Sequence, residues 1–187
     1  MKRLRGLSLI ELLVCLSIIV FLASRLATPG FSQSRQLHAI DDTMNELANA
    51  IGMARAAAIA GNIMVTFCRS DDGQRCRGRW EQGSILFTDA NADRLMNGND
   101  RLLYRFTQST ADGTISFNSF RNRQYLQLTP RGATNSQNGN FTFCPANGDP
   151  KLARQLIINV TGRTRHAFDN DRDGIVENSE GKPVSCL

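Results

Sequence analysis

From Leu7 to Leu26 the chain is an apolar run with two charged residues, Glu11 near its start and Arg25 near its end, and it follows three cations, Lys2, Arg3 and Arg5, and a glycine, Gly6. A helix needs roughly 20 apolar residues to cross a hydrocarbon core, so the run predicts a single membrane span. Arg25 lies where a long cationic side chain can reach back to the interface. The cations ahead of the run place the N-terminus in the cytoplasm and send everything after Leu26 across the membrane. An ordinary secretory signal would carry its small-residue cleavage site after the apolar stretch, whereas here Gly6 precedes it. A carboxylate inside a span is costly and marks a function, so Glu11 requires a partner.

Gly6 followed by Leu-Ser-Leu-Ile-Glu-Leu-Leu resembles the class III leader of type IV pilins and type II secretion pseudopilins. The resemblance implies cleavage between Gly6 and Leu7 by a prepilin peptidase that also methylates the new N-terminus. It implies too that Glu11 pairs with the terminal amine of a neighbouring subunit, an ion pair that forms only on assembly and so favours the correct stagger between helices. The family usually has Phe at the new terminus, where this chain has Leu7.

The formal charge of +5 belongs largely to the leader: without Lys2, Arg3 and Arg5 the balance is 19 basic residues against 17 acidic. A generally basic surface is thereby excluded, and any polyanion site must be local. The cations are nearly all arginine, with lysine at 2, 151 and 182, which suits planar bidentate pairing with phosphate or carboxylate. Of the five cysteines, Cys15 lies in the apolar run and Cys68, Cys76, Cys144 and Cys186 in the exported part. An oxidising compartment and an even count favour two disulfides, for which three connectivities exist. We favour Cys68–Cys76, closing a short polar loop, with Cys144–Cys186 holding the C-terminal tail. No CxxC pair occurs and His38 and His166 are isolated, which disfavours a zinc site.

Residues 1–6 thus form the leader, 7–28 the membrane and assembly half of the N-terminal helix, 29–61 its amphipathic half, and 62–187 a β-rich head. Pro29 and Gly30 are expected to kink the helix. Beyond them Leu37, Ile40, Met44, Leu47, Ala48, Ile51, Ala54, Ala58 and Ile59 keep the three-and-four spacing of an amphipathic helix that buries one face against a sheet. After Gly61-Asn62 the pattern changes to β-rich runs separated by polar, glycine-containing turns: 63–68, 84–88, 102–106, 114–118, 125–129, 140–144 and 155–160. The stretch 132–139 reads as the loosest loop. The expected fold is α+β, with a long N-terminal α-helix packed on an antiparallel sheet.

Within the head, WEQGSILFTDAN at 80–91, the NGND and LL that follow it, GNFTFC at 139–144 and LIINVTGRTR at 156–165 resemble the GspH/FimT branch of minor pilins and pseudopilins. The resemblance implies a type IV pilin-like fold and a minor subunit in or near a filament tip. Its partners would be other pilins, the prepilin peptidase and the inner membrane. The protein would start as a single-pass inner-membrane protein with a periplasmic head and end in a pilus or pseudopilus.

Two head segments carry candidate chemistry. In Gly162-Arg163-Thr164-Arg165, two arginines one residue apart follow a glycine that ends a strand, so their guanidinium groups can reach successive phosphates. In FimT-like proteins of competent bacteria a matching GRxR segment contributes to DNA binding, and the resemblance carries that role to Arg163 and Arg165, with a filament contact as the alternative. Arg75, Arg77, Arg79, Arg121 and Arg123 could extend a basic patch, but Asp71 and Asp72 offset part of it. The second segment, 169–180, fits a twelve-residue calcium loop: oxygens from Asp169, Asp171 and Asp173, Gly174 at the turn, the Ile175 carbonyl, then Glu177 and a bidentate Glu180. Calcium here would be structural. Asp89, Asn91, Asp93 and Asp100 offer a poorer version, with Arg94 where the glycine belongs, and no metal is expected there. The absence of a phosphate-cradling loop, a nucleophile elbow or a histidine with a plausible partner speaks against an enzyme or a catalytic cofactor. The expected function is therefore a minor pilin that binds DNA during uptake, or a purely structural subunit that primes a pilus or a type II secretion pseudopilus.

Overall fold

The computed structural model describes residues 8–26, 29–106 and 111–186 and divides the chain into two units, residues 1–38 and 39–187. The expected cleavage point, Gly6 and Leu7, lies outside the described residues. Helix α1 (Leu9–Leu26) belongs to the first unit, and α2 (Pro29–Gly61) starts there and runs into the second. Pro29 is the first described residue of α2, a position where proline's missing N–H costs nothing, and residues 27 and 28, beside the expected kink, lie outside the described residues.

Ser8 sets the start of α1. The backbone N–H of Glu11 donates to the Ser8 hydroxyl at 3.3 Å and to its carbonyl at 3.1 Å, so Ser8-Leu9-Ile10-Glu11 supplies the serine half of a capping box. Glu11 therefore also stands in the first turn, where the helix dipole favours a carboxylate. Leu9, Ile10, Leu13, Ile19 and Val20 are exposed, and among the described residues no helix is long and apolar enough to cross a membrane.

In the second unit, α2 buries Ile40, Met44, Leu47, Ala50, Ile51, Ala54 and Ala58, while Ile59 stays 45% exposed. Among its described residues the head carries eight strands: β1 (Val65–Arg69), β2 (Ser84–Thr88), β3 (Leu102–Phe106), β4 (Gly113–Ser119), β5 (Tyr125–Leu128), β6 (Gly139–Pro145), β7 (Arg154–Ile158) and β8 (Thr164–His166). They form two four-stranded antiparallel sheets, ordered β3-β2-β1-β5 and β4-β6-β7-β8. An aromatic cluster joins the sheets. The rings of Phe67 (β1) and Phe141 (β6) lie 6.4 Å apart, and Trp80, in the turn before β2, sits between them at 5.3 and 4.7 Å.

The outer face of the first sheet carries a polar network. The fully buried Asp89 carboxylate accepts from the Thr66 hydroxyl, from Gln127 Nε2 at 3.0 Å and from the Arg94 backbone N–H at 3.1 Å. Gln137 in turn accepts from the Gln127 backbone N–H at 3.1 Å, and Thr134 bridges to Leu128. These bonds tie down the 132–139 stretch that its composition marks as the loosest, because its polar side chains have buried partners to satisfy.

The loop closed by Cys68 and Cys76 is organised by Asp72, whose Oδ1 accepts from the backbone N–H groups of Gln74 and Arg75 at 2.8 and 2.9 Å. These bonds favour the charged form and hold its pKa at about 2, below the ordinary 3.8. A carboxyl depressed on folding contributes stability above its unfolded pKa and loses it as pH falls through the folded one. The destabilisation caused by Asp72→Asn is thus expected in full at neutral pH and should vanish as pH drops from about 4 to about 2. An NMR titration of the Asp72 carboxyl with a midpoint at 3.8 would sink this reading.

Candidate functional site

The β7–β8 hairpin presents the two GRTR arginines. Gly162 N–H donates to the Asn159 carbonyl at 3.0 Å and Asn159 N–H to the Arg163 carbonyl at 3.1 Å. The Asn159 side-chain oxygen further accepts from the backbone N–H groups of Thr161 and Arg163, each at 3.0 Å. Gly162 has φ +73°, and a Cβ there would lie 2.3 Å from the Gly132 carbonyl oxygen. A glycine is required on both counts.

Beyond this turn the chain re-enters the sheet as an edge strand, with Ile157 opposite Arg165 and Ile158 opposite Thr164. Arg165 therefore stands on this edge strand, whereas Arg163 closes the turn just ahead of β8, its carbonyl accepting from the Asn159 N–H. Both are exposed, and among the described residues neither is in an ion pair. No acid occurs between 150 and 168, so nothing on this hairpin neutralises them. Of the other basic candidates, Arg77 pairs with Asp71 at 2.8 Å and with Asp72 at 3.3 Å, and Arg79 with Glu81 at 3.1 Å, while Arg75, Arg121 and Arg123 are in no ion pair among the described residues. Arg123 stands 5.9 Å and Arg94 5.1 Å from the Tyr125 ring. The carboxylates offset the charge of Arg77 and Arg79, whereas the contacts with the neutral Tyr125 ring leave the charge of Arg94 and Arg123 in place.

The acidic loop follows β8 directly. Carboxylate oxygens of Asp169, Asp171, Asp173 and Glu177 lie within 4.8 Å of one another, with Glu177 buried. Glu180 does not join them. A turn closed by Gly181 N–H on the Asn178 carbonyl carries it outward, where it pairs with Lys182 at 3.1 Å. The carboxylate that closes the group is thus Glu177, which also accepts from the backbone and side-chain nitrogens of Asn170 at 2.7 and 2.8 Å. Backbone N–H groups bind the other three: Arg172 and Gly174 donate to Asp169, Asp173 to Asp171, and Ile175 to Asp173. Four hard oxygen donors in this space fit a calcium-sized cation.

The four exported cysteines are joined as Cys68–Cys76 and Cys144–Cys186, and Cys15 is free and exposed on α1.

The sequence matches the family model described as type II transport protein GspH over residues 43–162. The match stops at Gly162, so Arg163, Arg165 and the acidic loop lie beyond it. No curated protein matches the chain. The fold is similar to that of the type IV minor pilin FimU of Pseudomonas aeruginosa strain PAO1 in two crystal forms. One is 17% identical with TM-score 0.55, covering 85% of this chain and all of that one; the other is 19% identical with TM-score 0.54, covering 79% and 99%.

Proposed function

The chain belongs to the type II transport protein GspH family of minor pilins and pseudopilins, and on that premise we propose that it is a minor type IV pilin that binds DNA through Arg163 and Arg165. The family is one of structural subunits incorporated with other pilins into a filament. On our reading the protein waits in the inner membrane, anchored by the run from Leu7 to Leu26, until it is cut after Gly6, methylated at Leu7 and drawn into the filament. Glu11 then meets a neighbour's terminal amine and releases the cost of its burial.

The DNA reading rests on one observation: two exposed, unneutralised arginines one residue apart, Arg163 closing the hairpin turn and Arg165 on the edge strand that follows it. Guanidinium forks bind phosphate oxygens without reading bases, so binding should be salt-dependent and indifferent to sequence. For the full chain in detergent, binding to a short fluorescent duplex should weaken roughly tenfold or more at moderate salt in the Arg163→Ala, Arg165→Ala double mutant. The slope of log affinity against log salt should shrink by about 2. Salt-insensitive binding, or none by the native chain, would leave the purely structural subunit as the better account.

We propose further that Asp169, Asp171, Asp173 and Glu177, with the Ile175 carbonyl, hold a structural calcium ion, supported by the fit of a calcium-loop spacing to carboxylates that converge. Saturating calcium at about 100-fold above its Kd should raise the stability of the head by about 2.7 kcal/mol. Asp169→Asn with Asp171→Asn should abolish the rise, and a melting temperature equal in calcium and in chelator would end the proposal.

A further inference from the structure

The GRTR hairpin packs against a second hairpin turn of the same construction. Thr129-Pro130-Arg131-Gly132 is closed by Gly132 N–H on the Thr129 carbonyl at 2.7 Å and by Thr129 N–H on the Ala133 carbonyl at 2.8 Å. The pattern repeats the one at 159–163, and each turn has a glycine at positive φ as its fourth residue, +74° at Gly132 and +73° at Gly162. The two turns touch. A Cβ on Gly162 would strike the Gly132 carbonyl oxygen, and both the backbone N–H and the hydroxyl of Thr134 donate to the Val160 carbonyl, at 3.0 and 3.4 Å.

Arg55 of α2 completes the group. It lies across Gly132, where a Cβ would sit 3.0 Å from its Nε, and that Nε donates to the Thr161 carbonyl at 3.3 Å. One guanidinium thus spans both turns. The exposed Arg131 precedes one of the glycines and Arg163 follows the other.

The charge around this junction is one-sided. Residues 47–70, 113–148 and 150–168 contain no Asp or Glu, and these segments supply α2's C-terminal half, the whole Arg131 turn and the whole Arg163 turn. Among the described residues neither Arg55 nor Arg131 is in an ion pair. Three elements therefore contribute Arg55, Arg131, Arg163 and Arg165 from segments that contain no acid, in a chain whose exported part is close to neutral.

We infer that the DNA-contacting surface is a two-turn platform in which Arg131 and Arg55 bind backbone phosphates together with Arg163 and Arg165. The inference rests on the DNA reading of the GRTR segment and extends it to residues from two other elements. The back-to-back glycines bring the two turns into backbone contact, so that Arg131 continues the basic edge of β8.

The test uses the full chain in detergent and the same duplex, titrated at several salt concentrations. Arg131→Ala should weaken binding roughly fivefold and lower the salt slope by about 1, whereas Arg131→Lys should keep the slope. Arg55→Ala should act in the same direction, with circular dichroism melting to show that the fold survives the loss of its bond to Thr161. Arg77→Ala removes one positive charge from a loop already neutralised by Asp71 and Asp72 and should leave the slope unchanged. If the native chain binds and the Arg163→Ala, Arg165→Ala mutant does not, but Arg131→Ala and Arg55→Ala bind like the native chain, the platform is overturned and the GRTR reading stands. If Arg77→Ala lowers the slope as much as Arg131→Ala, the contribution is general charge and the platform is again overturned. If the native chain does not bind, or every variant binds alike, both fall.

Discussion

Trp80→Ala should destabilise the head by roughly 3–5 kcal/mol, the scale for deleting a buried tryptophan. The indole is 4% exposed and meets Phe67 of the first sheet and Phe117 and Phe141 of the second, at 5.3, 5.8 and 4.7 Å. Its N–H also donates to Gln124 Oε1 at 3.3 Å. Because both sheets close on this ring, truncation opens the cavity at the seam between them, where neither can collapse without moving the other. Aromatic pairs of this geometry add about 0.5–1.5 kcal/mol beyond area burial, so Trp80→Phe, which keeps a ring and loses the N–H, should recover most of the loss. A domain of this size loses about 2–4 °C of melting temperature per kcal/mol. A midpoint lowered by about 10 °C in Trp80→Ala and much less in Trp80→Phe is the expected result. A shift of only a degree or two in Trp80→Ala would mean that the seam is held by the other aromatics.

Where the signal is local, the chain states its structure openly. Apolar spacing along α2 finds Ile40, Met44, Leu47, Ile51, Ala54 and Ala58, which are buried, but includes the half-buried Leu37 and Ala48 and the exposed Ile59 and omits the buried Ala50. The β-rich runs overlap seven of the eight described strands. What the sequence withholds depends on pairing across distance. Alternation in β4 and β6 looks the same whether they join β1 or form a second sheet, so one expected antiparallel sheet becomes two. β8 escapes because three residues, Thr-Arg-His, carry no apolar alternation; its partner β7 holds it in place. For the same reason both GRTR arginines read as turn residues, whereas Arg163 closes the turn and Arg165 stands on the edge strand. In the acidic loop, spacing points to Glu180 as the closing carboxylate, but the outward turn at Asn178–Gly181 gives that place to Glu177. Arg55 and Arg131 carry no motif. Only the contact between two glycine turns brings them to Arg163, and one sequence holds no signal for that contact.

Replacing Cys144 and Cys186 with alanine should cost more than replacing Cys68 and Cys76, because the first bridge closes 42 residues and the second 8. On the chain-entropy account these loops correspond to about 4 and about 2.5 kcal/mol. The larger loss should appear in a particular place. Residues 167–184 pack through a small satellite core in which Ala167, Val176 and Val184 meet Ala153, with Ile157 beside it, and a backbone bridge joins Glu177 to Pro183. Such a core buries too little apolar area to hold the tail alone, since each fully buried aliphatic side chain contributes only about 1.5–3 kcal/mol against the entropy of ordering its segment. Without the bridge the tail should open before the sheets do, exposing the acidic loop to protease while the aromatic seam still melts cooperatively. Limited proteolysis should therefore cut the Cys144→Ala, Cys186→Ala variant within 169–180 and spare both the native chain and the Cys68→Ala, Cys76→Ala variant. Equal protection in all three would show that the satellite core suffices. A freed tail would also leave β8 held by three backbone pairs to β7, so the arginine edge should lose order along with it. If the proposed DNA contact through Arg163 and Arg165 holds, the same variant should bind the duplex more weakly although no arginine has changed.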